Sequence, residues 1–206
     1  RGDFYPKGLV QKHELKFASR AVSSIEINGS FYSLQKPELY AGWYDETPEG
    51  FVFSVKAPRY ITHVLRLRDV EKPIANFLAS GVLALKDKLG PMLWQFPPSF
   101  KFDPERFETF LALLPHDTEA ALEMAKGCEP RMEGRSYLQI DRKRSLRHAV
   151  EIRNDSFVDP AFVALLRKYK VALVIADTAG KWPYREDLTS DFVYIRLHGA
   201  EELYTS

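Results

Sequence analysis

Apolar residues along the chain follow two alternating patterns. Six short runs rich in β-branched and aromatic side chains read as strands: Ser24 to Asn28, Phe51 to Lys56, Pro91 to Gln95, Ala149 to Arg153, Val171 to Asp177 and Phe192 to His198. Between them the apolar positions recur with helical period, at Leu39, Tyr40 and Trp43, at Ile74, Phe77 and Leu78, at Phe107, Phe110 and Leu111, and at Phe162, Val163 and Leu166. Two of these helices carry a start signal, Asp103-Pro104 and Asp159-Pro160. There a carboxylate can accept from a free backbone N–H, and the proline is pre-set for the first turn.

Strands of this kind, separated by helices, predict a parallel sheet covered by helices, and right-handed crossovers leave an open doubly wound sheet or a closed barrel. No GxGxxG or GxxxxGK[ST] loop follows any strand, which removes support from nucleotide-binding open sheets. The pattern therefore predicts an α/β fold, a TIM-like (β/α) barrel forming one domain over residues 1–206. A charged excursion at about 116–147 interrupts the alternation, and its first part, Thr118 to Lys126, reads as a helix.

Polar positions carry the functional signal. Side chains alternate faces with period two, so Glu26 and Asn28 share a face, as do Glu151 and Arg153, and Tyr194, Arg196 and His198. Lys56, Gln95 and Asp177 close the other strands. Every predicted strand thus ends in a hydrogen-bonding or ionisable group at its carboxyl side, which in a parallel barrel is the common mouth where catalytic residues gather. Charged groups are costly to bury unpaired, so the coincidence points either to a site or to an internal salt-bridge network such as Glu151 with Arg196. After Lys56, the loop bearing Arg59, His63, Arg66 and Arg68 reads as an anion collar, and Trp182 is placed to stack on a ligand from an exposed loop.

Composition narrows the class. The 206 residues are 45% hydrophobic and 28% charged, which excludes a disordered or low-complexity chain. With 29 basic against 28 acidic side chains the formal charge is +1, so no polyanion partner follows from charge alone. No apolar run reaches the roughly 18 residues of a membrane span, and a lone cysteine, Cys128, suits a reducing compartment, so a soluble cytoplasmic protein without a membrane partner is expected.

Several stretches resemble the YecE-like family, also called domain of unknown function 72: Phe4-Tyr5-Pro6, Glu26-Ile27-Asn28-Gly29-Ser30-Phe31-Tyr32, Phe53-Ser54-Val55-Lys56-Ala57-Pro58, Ile61-Thr62-His63, Gln95-Phe96-Pro97-Pro98, Val150-Glu151-Ile152-Arg153 and Tyr194-Ile195-Arg196-Leu197-His198-Gly199. The resemblance implies a TIM-like barrel of about seven or eight parallel strands. It also implies a further strand before Arg1-Gly2 and continuation past Tyr204, so that terminal elements are expected beyond this chain.

Three functional readings follow. In the first, the mouth of an enzyme binds a small phosphorylated or phosphodiester substrate through Arg153, Arg196, Lys56, Asn28, His63, Gln95 and Trp182. Glu26 or Glu151 then serves as general base, His198 as acid and Asp177 as a further carboxylate, in hydrolase or isomerase/lyase chemistry. No cofactor is fixed by the sequence. A divalent metal on Glu26, Glu151, Asp177 and His198 is a variant that the adjacent arginines weigh against. In the second reading the mouth loop and Arg142 to Arg147 lie on a nucleic-acid backbone, as in endonuclease barrels. In the third the charged mouth only closes a structural or partner-binding barrel. Oligomeric state does not follow from the sequence.

Overall fold

The computed structural model describes residues 4–198, so the matching text at Arg1-Gly2 and Gly199 lies outside the described residues. Six parallel strands form one sheet in chain order: β1 (Ser24–Ile27), β2 (Val52–Lys56), β3 (Leu89–Gln95), β4 (His148–Glu151), β5 (Ala172–Asp177) and β6 (Tyr194–Leu197). All six predicted strands are present, and their ends agree to within two residues. The helices are α1 (Glu14–Ala21), α2 (Gly29–Tyr32), α3 (Pro37–Glu46), α4 (Glu71–Ala79), α5 (Pro104–Leu113), α6 (Thr118–Lys126) and α7 (Pro160–Lys168).

Helix starts follow the local chemistry. The Asp103 carboxylate accepts from the Arg106 N–H at 3.2 Å, Asp117 from Ala120 at 2.9 Å and Asp159 from Ala161 at 2.7 Å. Each satisfies a donor that the first turn leaves free.

Alternation along the strands builds two apolar layers. Phe53, Val55, Met92, Trp94, Val150 and Leu173 point outward and bury beneath the helices against Phe77, Phe107, Phe110 and Phe162. On the other face Leu93, Ala149, Ala172, Val174 and Ala176 form a second, smaller cluster under Phe192 and Tyr194. Four of those five are alanine or valine, and such small side chains let the sheet bend around this face.

The bend is measurable. A flat sheet would separate the first and sixth strands by about 24 Å at the usual interstrand spacing. Instead the Tyr194 hydroxyl of β6 lies 2.6 Å from Ser54 Oγ of β2 and 2.7 Å from Glu26 Oε2 of β1. The described residues therefore form a curled half-barrel of six strands, not a ring of seven or eight, with β1 pairing to β2 and β6 to β5.

The excursion is ordered structure rather than a loop. Its helix α6 packs against α4, and the segment returns through an antiparallel bridge between Asp117 and Ser145, with the Thr118 N–H donating to the Arg144 carbonyl at 2.9 Å. Its basic residues are largely paired: Lys143 with Glu119 at 2.7 Å, Arg144 with Asp141 at 2.5 Å and Arg147 with Asp191 at 3.4 Å. Arg147 immediately precedes β4, which puts this basic group at the amino ends of the strands, opposite the mouth.

Candidate functional site

At the carboxyl ends of the strands the inward-facing polar side chains converge on Glu151, the last residue of β4, whose side chain is fully buried. Gln95 sits beside it in the β3–β4 register and donates its amide N–H groups to both carboxylate oxygens at 2.9 and 3.0 Å. Arg153 Nε donates to Oε1 at 2.8 Å, and Arg196 Nη1 donates to Oε2 at 2.5 Å. Burial alone would raise the carboxyl's pKa, but the Arg196 and Arg153 guanidiniums and the Gln95 amide outweigh it and hold Glu151 below the usual carboxylate range.

Arg196 joins two strands across the curl. Its Nε and Nη2 make a bidentate pair with Glu26 at 3.1 and 3.0 Å while Nη1 holds Glu151. Although burial opposes its charge, Glu151 and Glu26 keep its pKa raised. Glu26 also accepts from Tyr194, whose oxygen lies beside Ser54. A carboxylate only accepts, so Tyr194 donates to Glu26, and the single Ser54 proton is shared between the Tyr194 oxygen and the Pro91 carbonyl, 3.0 Å away.

Lys56, at the end of β2, is buried, and its ammonium sits 4.1 Å over the Phe31 ring. Its pKa is pushed down to about 8, first by burial and then by Arg196, with Glu26 and Glu151 opposing. His63 follows in a π-helical turn, Tyr60–Val64, with Nδ1 2.8 Å from the Thr62 hydroxyl. Burial and the cations of Arg59, Arg153 and Lys56 push its pKa down to about 4, so it is neutral at pH 7. His198 is likewise buried and its pKa is lowered, with Nε2 4.0 Å from Glu151 Oε1. Trp182 lies flat on Arg153, whose guanidinium carbon is 3.8 Å from the ring centroid, and turns an edge to His198.

The curl thus brings together Glu26, Lys56, His63, Gln95, Glu151, Arg153, Trp182, Arg196 and His198. Two expected members stay apart. Asn28 lies beyond the end of β1 with helical φ and ψ of −93° and −20°, so strand alternation no longer directs it, and it is exposed. Asp177 is exposed, and its Oδ1 accepts from the Ala179 N–H at 3.3 Å, closing the turn after β5. The metal variant fails on the same geometry. Glu26 and Glu151 are occupied by guanidiniums, Asp177 is turned away, and among the described residues no three metal-ligating side chains converge.

Comparison with known proteins decides the family. Residues 1–206 match the sequence profile described as "Protein of unknown function DUF72". The chain belongs to the DUF72 family. Among curated members it is similar to UPF0759 protein YecE of Escherichia coli strain K12, at 30% identity over 82 residues, 40% of this chain and 30% of that protein. It is also similar to UPF0759 protein YunF of Bacillus subtilis strain 168, at 33% identity over 101 residues, 47% of this chain and 36% of that protein. These alignments span only about a third of each relative's length. A DUF72 protein of Thermotoga maritima MSB8 superposes with a TM-score of 0.69 at 26% identity, over 97% of this chain and 69% of that one. One from Enterococcus faecalis V583 gives 0.65 at 20% identity, over 91% and 70%, a likeness of fold alone.

Within this DUF72 chain, two site residues escape a reading of strand ends. Ser54 sits two residues below Lys56, and Tyr194 two below Arg196, each on the same inward face. Their period-two spacing places them inside, but their meeting depends on the curl.

Proposed function

We propose that the mouth binds a small phosphorylated or phosphodiester molecule and performs acid–base chemistry on it. The observation that carries this reading is an excess of cations over carboxylates: among the described residues Lys56, Arg153 and Arg196 face only Glu26 and Glu151. Arg196 is fully engaged. Among the described residues Arg153 spends only Nε on Glu151, so the terminal nitrogens of a guanidinium braced on Trp182 remain to grip phosphate oxygens.

The chemistry divides differently from the roles expected at first. Glu151 is saturated with donors and suits the role of anchor, not base. His198, held neutral, suits proton acceptance rather than donation. Glu26, partly exposed and linked through Tyr194 to Ser54, is the second proton-handling group. Closure of the curled sheet into a full barrel of seven or eight strands belongs to the same proposal. A screen of phosphomonoesters and phosphodiesters is the test. Turnover that falls at least about 100-fold in His198→Asn and Glu26→Gln supports it, and turnover that survives both substitutions rejects the assignment.

A nucleic-acid backbone is less well served. The exposed cations of the mouth loop, Arg59 and Arg68, and the paired group at Arg142 to Arg147 lie at opposite ends of the sheet, so one strand of phosphates cannot follow both.

A further inference from the structure

Among the described residues two lysines are buried, and they are treated in opposite ways. Lys88 donates to the Tyr44 carbonyl at 2.5 Å and to the Thr47 carbonyl and hydroxyl at 2.7 and 3.1 Å, so its ammonium is fully solvated by oxygen. Lys56 is equally buried, yet among the described residues its Nζ makes no hydrogen bond and has no carboxylate within ion-pair distance; its neighbour is the face of Phe31. The backbone beneath it is fixed, because Ser30 Oγ donates to the Lys56 carbonyl at 2.7 Å. It projects from the carboxyl end of a strand into the same mouth as Arg153 and Arg196. An amine held in place, short of oxygen acceptors and beside fixed cations is arranged to lose its proton and attack, not to make a salt bridge.

We propose that Lys56 is the amine nucleophile of the mouth and forms an imine with an aldehyde or ketone whose anionic group rests on Arg153. This rests on the anion-binding reading above and names the substrate class. The neutral amine adds to the carbonyl carbon, and the carbonyl oxygen takes a proton to give a carbinolamine. Loss of that hydroxyl as water forms the C=N bond, so one carbonyl and one amine yield one imine and one water. Burial first, then the Arg196 and Arg153 cations, with Glu26 and Glu151 opposing, bring its pKa down to about 8, which supports a reactive amine at neutral pH.

The test uses the intact chain with glycolaldehyde phosphate and with plain glycolaldehyde, trapping any imine with cyanoborohydride, whose hydride adds to the imine carbon and leaves a stable secondary amine. Peptide mapping then compares Lys56 with exposed Lys101 and buried Lys88. The expected result is labelling of Lys56 at pH 7 at least about tenfold faster than Lys101, little at Lys88, and a clear preference for the phosphorylated aldehyde. Preferential labelling that is equal for both aldehydes keeps the imine and rejects the phosphate contact. Labelling of Lys56 no faster than Lys101 by either aldehyde overturns the imine, and leaves the anion site to stand or fall by phosphate binding alone.

Discussion

At the residue scale the site is held by one saturated carboxylate. Glu151 satisfies Gln95, Arg153 and Arg196 together, so Glu151→Ala removes the carboxylate partner of Arg153 and one of the two that hold Arg196, and should cost about 3 kcal/mol or more in urea unfolding. Because its folded pKa lies below its ordinary value, its contribution is complete above about pH 4.5 and is lost as pH falls through the depressed value. Histidines act over a higher window. His148 is fully buried as the neutral tautomer, accepting from Trp94 Nε1 at 3.1 Å and donating Nε2–H to the Pro115 carbonyl at 2.8 Å. Burial pushes its pKa down to about 4 from 6.5, so its contribution is full above pH 6.5 and falls as pH drops toward 4. Urea midpoints measured between those values should decline, and His148→Gln should remove part of the slope; an unchanged slope would mean that His148 does not titrate this way. The inward members Glu26, Gln95, Glu151, Arg153 and Arg196 were legible from period-two alternation. Protonation was not, because the neutral state of His198 and His63 depends on burial and on cations from other strands.

At the scale of elements, local rules carried far. The Asp-Pro starts of α5 and α7 appear where the sequence puts them, and Asp159→Ala should cost about 1 kcal/mol by freeing the first-turn N–H it caps. Gly90 shows a constraint that no periodicity reveals. A Cβ there would lie 2.5 Å from Val52 Cγ1 and 2.9 Å from the Phe53 carbonyl, because β2 passes close beside β3. Gly90→Ala should therefore lower stability by about 1–3 kcal/mol, read by the same unfolding curves. Asn28 stands outside the converging group because β1 stops one residue earlier than its polar alternation suggests, and Asp177 because its carboxylate serves the turn that follows.

Across the whole molecule the curl turns a list of strand ends into a site. Alternation of strand and helix predicted parallel strands, and the small inner side chains at Ala149, Ala172 and Ala176 permit the bend, but the distance from Tyr194 to Ser54 is a property of the assembled sheet. The same curl sets three cations against two carboxylates at one end and leaves the paired basic group at the other. The most direct check of that asymmetry is the melting temperature with inorganic phosphate and a sugar phosphate, for the parent chain, Arg153→Ala and Arg147→Ala. A ligand bound only by the folded state raises the midpoint. The shift should persist in Arg147→Ala and vanish in Arg153→Ala; no shift in the parent chain, or one that survives Arg153→Ala, would contradict an anion site at the mouth.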